Sequence, residues 1–264
     1  MQKKYILGSM IVNILLVVLL GVSFFQKGTP EISKVPDWWF TSSIQTNLPA
    51  VVALFANQDS YYAVENGGNI QDQVIQWPKG TRVWWSAFFV DANGYLLTSK
   101  HVIQDWSAYF AVFQDWSTGK IDKIWNHPSL DLAILHIQKN NQTTFPTVTL
   151  ANDQLPAIGE PIVIIGTPFS QYINSISQWI LSAQNRTLSL DKWLSYTGLY
   201  QLDINTNPGN SGWPVINTDG KVFAIVTAMA TQSSHIWFAI PLSQKSVLTM
   251  LSDIKSQDKI ISSE

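Results

Sequence analysis

The sequence predicts an all-β protein built from antiparallel β-barrels and closed by one C-terminal helix. From Pro49 onward the chain consists of short apolar runs separated by turn residues, a pattern typical of barrels. Residues 91–94 and 217–220 have the composition of hairpin turns. Near the end, residues 242–254 place apolar side chains at helical spacing. These three observations exclude a helical bundle and favour a chain of paired strands.

Each predicted strand is an apolar run with turn residues at its ends. The predicted strands cover residues 49–55, 83–90, 94–99, 130–137, 161–166, 200–204, 213–216, 221–228 and 236–240. Residues 57–80 are polar and contain Asn66-Gly67-Gly68. They predict a long surface loop.

The composition excludes several classes of function. The 264 residues carry a net charge of −2, with no basic run beyond Lys3 and Lys4, so nothing indicates nucleic-acid binding. Cysteine is absent, which removes disulfides, thiol catalysis and cysteine-ligated zinc. We expect no metal and no cofactor. The twelve tryptophans are assigned to core packing and membrane-interface anchoring rather than to a ligand platform.

The N-terminal segment predicts a membrane anchor. Residues 5–25 are apolar apart from three polar side chains, and about 20 such residues match the hydrocarbon thickness of a bilayer. Lys3 and Lys4 precede the segment, so the positive-inside rule places the N-terminus in the cytoplasm and the rest of the chain outside. A cleaved signal peptide is the alternative, since residues 21–23 are small enough for a cleavage site. Residues 26–40 then form a linker, and residues 41–264 form one domain.

Three residues predict a hydrolytic site. Peptide hydrolysis by a serine needs a base, a carboxylate that orients the base, and donors for the oxyanion. Ser211 lies in the glycine-bearing turn 207–212, His101 follows a strand, and Asp131 opens an apolar strand. A carboxylate so close to the core is costly unless it is hydrogen-bonded, which suits a residue that orients an imidazole. Taken singly, each has an ordinary alternative as a loop serine, an incidental histidine or a turn aspartate.

The other three histidines are weaker candidates for the base. His127 precedes a proline, His136 lies inside a strand with apolar neighbours, and His235 lies in a loop. None of them has a sequence context that predicts a cleft.

In order and context, the three candidates resemble the HtrA/DegP-type proteases of the trypsin-like family, over nearly all of residues 49–255. Five segments carry the resemblance, and they occur in the family's order. They are Asp-Ala-Asn-Gly-Tyr-Leu-Leu-Thr-Ser-Lys-His-Val-Ile at 91–103, Asp-Leu-Ala-Ile-Leu at 131–135, Gly-Glu-Pro-Ile-Val-Ile-Ile-Gly-Thr-Pro-Phe at 159–169, Asp-Ile-Asn-Thr-Asn-Pro-Gly-Asn-Ser-Gly at 203–212 and Phe-Ala-Ile-Pro at 238–241.

The resemblance implies a chymotrypsin-like fold of two six-stranded antiparallel β-barrels with a C-terminal helix, preceded here by the transmembrane helix. It implies that His101 is the general base and acid, that Asp131 orients it, and that Ser211 is the nucleophile. The N–H groups of Gly209 and Ser211 would form the oxyanion hole, with Asn210 shaping the loop.

The resemblance also implies a specificity pocket with small or apolar walls and no acidic floor, and therefore cleavage after small aliphatic residues. Its implied lining is Ile204, Asn205, Thr206, Asn207, Val226, Thr227, Ala228 and Met229. The implied substrates are unfolded or signalling polypeptides outside the cytoplasm, as in protein quality control. Family members commonly form trimers through N-terminal aromatic residues, a role that residues 38–40 fit.

The sequence departs from the family pattern in three places. Trp213 stands where the family usually has glycine, and a bulky residue clashes there if the backbone needs a glycine-only conformation. Residues 84–88 read Trp-Trp-Ser-Ala-Phe where glycines are usual. No PDZ domain follows the protease-like region, so we expect no regulation by such a domain.

Two alternatives to a permanently active endopeptidase stay open. One is a protease-fold pseudoenzyme that binds peptides or scaffolds a membrane complex, which Trp213 favours and the complete set of three residues disfavours. The other is an oxyanion turn that is collapsed at rest and is ordered by substrate or a partner.

Overall fold

A computed structural model describes residues 39–56, 82–103, 109–115, 117–137, 144–152, 156–167, 174–189, 195–204, 211–229 and 235–261. These residues belong to one compact unit, Trp38–Glu264. The predicted anchor at 5–25 and the predicted loop at 57–80 lie outside them. Within the described ranges, no helix is long and apolar enough to cross a membrane.

Twelve strands and two α-helices make up the described fold. The strands are β1 Val51–Ala56, β2 Arg82–Asp91, β3 Tyr95–Thr98, β4 Phe110–Val112, β5 Thr118–Asn126, β6 Ala133–Ile137, β7 Pro161–Gly166, β8 Ser175–Ser189, β9 Ser195–Asp203, β10 Pro214–Ile216, β11 Val222–Met229 and β12 Ile236–Pro241. Helix α1 spans Trp39–Asn47 and helix α2 spans Gln244–Ile261.

The strands close into two six-stranded barrels. The first has the order β1-β2-β3-β6-β5-β4 and the second the order β10-β11-β12-β9-β8-β7. The pairings between strands are antiparallel. Within the described residues, closure pairs both edges of each sheet. The prediction of two six-stranded antiparallel barrels with a C-terminal helix is confirmed.

Tight turns set the register of both hairpins that the sequence predicted. Gly94 has a φ of 96° and donates its N–H to the Asp91 carbonyl at 3.1 Å. Gly220 has a φ of 73° and donates to the Asn217 carbonyl at 3.0 Å. Glycine adopts these left-handed conformations without the strain of a Cβ. Each turn therefore reverses the chain between two antiparallel strands.

Three strands and one helix were missed from the sequence. β5 and β8 are long but mostly exposed, with burial patterns that lack a continuous apolar run. β4 has only three residues, and α1 begins at Trp39, within the last two residues of the predicted linker. Strand prediction from apolar runs fails for β5 and β8 because backbone pairing with neighbouring strands, rather than burial of side chains, holds them in the barrel. The residues of β4 are buried, but the strand is too short to be recognised by its pattern.

Helix α2 covers the first barrel and ends the described chain. The Ser243 Oγ accepts the Ser246 N–H at 3.2 Å, which caps the first turn. Val247, Leu251 and Ile254 are buried on one face, as the helical spacing predicted. These side chains join a core cluster that contains residues of both barrels and thereby extends beyond the sheets.

Candidate active site

Short turns place the three predicted residues at one end of the two barrels. His101 lies in the 3-10 turn Lys100–Val102 that follows β3. Asp131 lies near the end of the turn between β5 and β6, and Ser211 lies three residues before the start of β10. The first barrel therefore supplies the histidine and the aspartate, and the second supplies the serine.

A continuous line of hydrogen bonds joins the three side chains. The Nε2 atom of His101 lies 2.8 Å from the Ser211 Oγ. The Nδ1 atom of the same ring lies 2.6 Å from the Asp131 Oδ2. A carboxylate only accepts, so Nδ1 carries the proton and Nε2 is free to accept the serine hydroxyl. The structure thus brings together the three residues that the sequence singled out, in the tautomer that a general base requires.

Asp131 is buried, being 3% exposed, and each of its carboxylate oxygens has a partner. Its Oδ1 accepts the backbone N–H of His101 at 2.8 Å. Its Oδ2 also accepts the hydroxyl of Thr227, a residue of the second barrel. These bonds offset the cost of burying the charge. Thr227 was expected in the pocket wall, but the structure directs its hydroxyl to Asp131, because a buried hydroxyl needs a partner.

Gly212 has no room for a side chain directly after the serine. Its φ is 86°, and a Cβ would lie 2.0 Å from the Ser86 carbonyl oxygen and 2.6 Å from the Thr98 Oγ1. Its N–H donates to the Val226 carbonyl at 2.9 Å. Ser86, in the strand where the family usually has glycines, is fully buried against this turn. Small residues on both sides therefore let the two barrels meet behind Ser211.

Trp213 fits the second barrel without the backbone clash that was considered possible from the sequence. The described residues with positive φ other than glycine are Asn174 and Asn185, so the backbone at Trp213 has no glycine-only conformation. The side chain is 2% exposed and lies on Gly166, where an added Cβ would come within 2.0 Å of the indole. A tryptophan at 213 thus occupies space that the absence of a Cβ at 166 leaves open.

The predicted pocket lining is only partly described. Asn205, Thr206 and Asn207 lie outside the described residues, as do Gly209 and Asn210 of the predicted oxyanion turn. The other lining residues divide by burial and position. Ile204 and Val226 are fully buried, Ala228 is half-buried, and Met229 ends strand β11.

Trp237 is a candidate site residue that the sequence analysis missed. Its backbone pairs with Met229, and its buried side chain belongs to the cluster that contains Ile204, Val226 and Trp213. The signal was present in the sequence, because alternation along a strand puts Trp237 and Ala239 on the same face. Two tryptophans therefore fill the barrel behind the predicted pocket walls.

Two titratable groups near the site have shifted pKa values. Burial, together with the negative charge of Asp131, raises the pKa of Tyr196. Burial and the positive charge of Lys100 lower the pKa of His127, which lies on the same turn as Asp131. Within the described ranges, no group of three or more His, Cys, Asp or Glu side chains is arranged to hold a metal ion.

Residues 85–225, more than half of the chain, match the family described as "Trypsin-like peptidase domain". The chain belongs to the trypsin-like peptidase family. The matched region contains all three site residues and most of both barrels.

Curated relatives and solved structures place the domain near the HtrA/DegP type. The chain is 29% identical over 253 residues to a "Probable periplasmic serine endoprotease DegP-like" of Pseudomonas fulva, an alignment that covers 85% of this chain and 51% of the relative. It is 34% identical over 160 residues to the protein of that name from Pseudomonas putida strain W619, covering 60% and 32%. The chain thus spans about half the length of the first relative and about a third of the length of the second.

Among solved structures, the "HtrA-type protease AlgW with tripeptide" superposes with a TM-score of 0.63 at 26% identity, covering 81% of this chain and 63% of that one. A serine endoprotease from Yersinia pestis superposes with a TM-score of 0.61 at 24% identity, covering 83% and 67%, and supports the fold. The family match, the fold and the similarity to these endoproteases together show a serine endopeptidase domain.

Proposed function

We propose that the chain is an active endopeptidase that cleaves unfolded or signalling polypeptides outside the cytoplasm through Ser211, His101 and Asp131. The observation that carries the proposal is the line of hydrogen bonds from Ser211 through His101 to the buried Asp131. Each bond has the direction that a nucleophile, a base and an orienting carboxylate need.

The proposed reaction follows from this geometry. The Ser211 Oγ attacks the scissile carbonyl while the His101 Nε2 takes its proton. Asp131 stabilises the resulting imidazolium, and Thr227 holds the carboxylate in place. His101 then gives the proton to the leaving amine, and a water molecule releases the acyl group by the same steps. The N–H groups of Gly209 and Ser211 are the proposed oxyanion donors.

We propose that residues 5–25 anchor the protein and that its protease domain lies on the extracytoplasmic side. Two observations support this location. The N-terminal segment is apolar and follows Lys3 and Lys4, and the two bacterial relatives are named as periplasmic. A homotrimer through residues 38–40 belongs to the same proposal.

We propose that the residue before the cleaved bond is small and aliphatic. Ile204 and Val226 are fully buried in one cluster with Trp213 and Trp237. Among the described residues, the predicted walls carry no charge that would attract Lys or Arg. We therefore expect cleavage after Ala or Val to exceed cleavage after Phe or Lys by about 10-fold or more.

The central test compares full-length wild type with Ser211→Ala in detergent. An exposed serine on α2, Ser252, supplies the matched control Ser252→Ala. Wild type and S252A should degrade unfolded casein and react with a fluorophosphonate probe. S211A should lose about 10⁵-fold or more in kcat and all labelling. Wild type that neither cleaves nor labels would rule out an active enzyme.

The specificity proposal is tested with peptides that differ only at the residue before the scissile bond. Trp237→Gly should raise kcat/KM for Leu or Met at that position by about 10-fold. Trp179→Ala is the control, since Trp179 packs against the same cluster from its edge. An equal gain in both variants would indicate general loosening and contradict a role for Trp237.

Comparing wild type with S211A in biological effect, in peptide affinity and in cleavage with added peptide separates the two alternatives. A pseudoenzyme scaffold predicts that S211A keeps the full biological effect and peptide affinity of wild type. A latent oxyanion turn predicts weak basal cleavage that rises steeply when peptide is added. A rate that is proportional to enzyme and independent of added peptide excludes both.

A further inference from the structure

The turn that carries Asp131 is held by the side chain of another histidine. Residues 127–132 connect β5 to β6, and Asp131 lies near their end. Pro128, Ser129 and Leu130 are all exposed, with Leu130 at 38%. Apolar packing therefore does little to fix this turn, and its shape depends on hydrogen bonds.

His127 makes those hydrogen bonds. Its Nδ1 atom accepts the backbone N–H of Ser129 at 3.2 Å and that of Leu130 at 2.9 Å. Its own backbone N–H donates to the Leu132 carbonyl at 2.8 Å. The bonded residues lie on both sides of Asp131, so His127 fixes the backbone from which the carboxylate projects.

Lys100 joins this turn to the turn that carries the base. Its Nζ atom donates to the His127 carbonyl at 3.2 Å, and its backbone N–H donates to the Asp131 carbonyl at 3.2 Å. Lys100 directly precedes His101. A change in the shape of the His127 turn is therefore transmitted to both ends of the bond between His101 and Asp131.

The bonds at His127 require a neutral ring. An Nδ1 atom that accepts two N–H groups has no proton, so the neutral ring carries its proton on Nε2. Protonation would put an N–H on Nδ1, facing two other donors, and both bonds would be lost. His101 has the opposite tautomer, because its Nδ1 faces a carboxylate.

Charges around His127 favour the neutral form. Lys100 is the charged group that acts on it from the neighbouring turn. On its own turn, the Asp131 carboxylate is directed to His101 and Thr227 instead. Burial and Lys100 together lower the pKa of His127, so the two acceptor bonds persist at neutral pH.

We propose that neutral His127 is a positioning residue for Asp131, and that its protonation in acid disconnects the turn and lowers the catalytic rate. The inference rests on the proposed function, because it acts through the same three residues. Since the folded-state pKa of His127 lies below the ordinary value of 6.5, the stabilisation of the turn by the neutral His127 ring is fully present above that value. It is lost as the pH falls through the folded-state pKa.

Two variants at 127 separate the hydrogen bonds from the titration. His127→Asn keeps an oxygen near the position of Nδ1 that accepts the same N–H groups but does not titrate. His127→Ala removes the acceptor. His136→Asn is the matched control, because His136 pairs with Asp122 at 2.7 Å in the same barrel and has no bond to this turn. Full-length proteins are compared by kcat, KM and the rate of fluorophosphonate labelling between pH 5 and 8.5.

We expect H127A to lower kcat about 10-fold at pH 8 with KM nearly unchanged, since the base is misplaced and the substrate site is not. H127N should keep at least about half of the wild-type kcat at pH 8. The fraction of the pH 8 rate that remains at pH 5.5 should be about 3-fold larger in H127N than in wild type. H136N should follow the wild-type pH profile. Wild-type kcat in H127A, or an equal loss in H127A and H127N, would overturn the inference.

A measurement without catalysis distinguishes failure of the inference from failure of the proposed function. In uniformly ¹⁵N-labelled Ser211→Ala protein, the His127 ring should show an Nε2–H tautomer. The amide resonances of Ser129 and Leu130 should shift with the titration of that ring. An Nδ1–H tautomer, or amides that do not follow the ring, would overturn the inference whether or not the wild type cleaves substrate.

Discussion

The two barrels fix their parts of the site by different means. In the first barrel, backbone and side-chain hydrogen bonds hold the turns of His101 and Asp131. In the second barrel, close packing adds to backbone hydrogen bonds at residues 211–213, with Gly212 against Ser86 of the first barrel and Trp213 against Gly166. The difference follows charge, because a buried carboxylate needs polar partners, whereas a neutral serine on a tight turn needs a fixed backbone.

This contrast predicts which substitutions each half of the site tolerates, where a half is the part supplied by one barrel. The half from the first barrel should tolerate changes of side-chain volume but not the loss of a hydrogen-bond donor or acceptor. The second half should tolerate the loss of polar atoms but not an added or missing carbon. Thr227 belongs to both, since it comes from the second barrel and donates to Asp131 of the first.

Among the variants that test this contrast, the largest expected effect comes from the polar contacts of the first barrel. Asp131→Asn should lower kcat by about 10⁴-fold, because an amide favours the wrong tautomer of His101. The fold should persist, since the two side chains have the same shape. Peptide hydrolysis and circular dichroism measure the two consequences. A loss below about 10-fold would mean that Asp131 does not orient the base.

The packing half is tested by Gly166→Ala, which places a Cβ within 2.0 Å of the Trp213 ring. We expect a loss of about 1–3 kcal/mol in the free energy of unfolding from this overpacking. Combining it with Trp213→Gly should remove the penalty of the alanine, although Trp213→Gly alone leaves a cavity. Urea denaturation of all four proteins gives the coupling. Additive losses would contradict the contact.

The link between the barrels is tested by Thr227→Val, which keeps the shape and removes the hydroxyl. Because a hydrogen bond to a charged group contributes about 1.5–3 kcal/mol, kcat should fall by about 10-fold or more. Thr227→Ser restores a hydroxyl and should recover most of the rate. Equal kcat in the valine and serine variants would show that the contact does not support Asp131.

The smallest expected effect concerns Asp91 and Lys255, which join the first barrel to α2 at 2.8 Å. Burial would raise the pKa of Asp91, but hydrogen bonds from Lys255 and from the Asn93 amide outweigh it and hold the pKa below 3.8. The contribution of ionised Asp91 to the free energy of unfolding is therefore present above pH 3.8, and it is lost as the pH falls through the lower folded-state pKa.

Lys255→Met should cost less than about 1 kcal/mol at pH 7 and less again once Asp91 is protonated, when the contact of the Lys255 Nζ with the Tyr95 ring at 4.9 Å is left. Urea denaturation at pH 7 and near pH 2.5 measures both values. Lys245→Met, on an exposed position of the same helix, is the control and should show no such difference. An equal cost at both pH values would assign the effect to packing of the lysine stem.

The sequence by itself determined the fold class, both hairpin turns and the three residues that meet at the site. Alternation and glycine turns are short-range patterns, which is why strands and hairpins could be predicted locally. The three site residues were singled out by their order and by flanking segments that resemble the HtrA/DegP type, because each residue alone has an ordinary alternative. It missed β5 and β8, since exposed strands in a closed barrel are held by pairing rather than by their own apolar residues.

The tertiary structure alone decided which distant residues support the site. Thr227 reaches Asp131 across 96 residues of sequence, and Trp213 rests on a glycine in β7. Even His127, only four residues from Asp131, was set aside because a proline follows it. Its role depends on the direction of its ring relative to two backbone N–H groups. Such directions are set by chain geometry and strand register, which residue types in order do not specify.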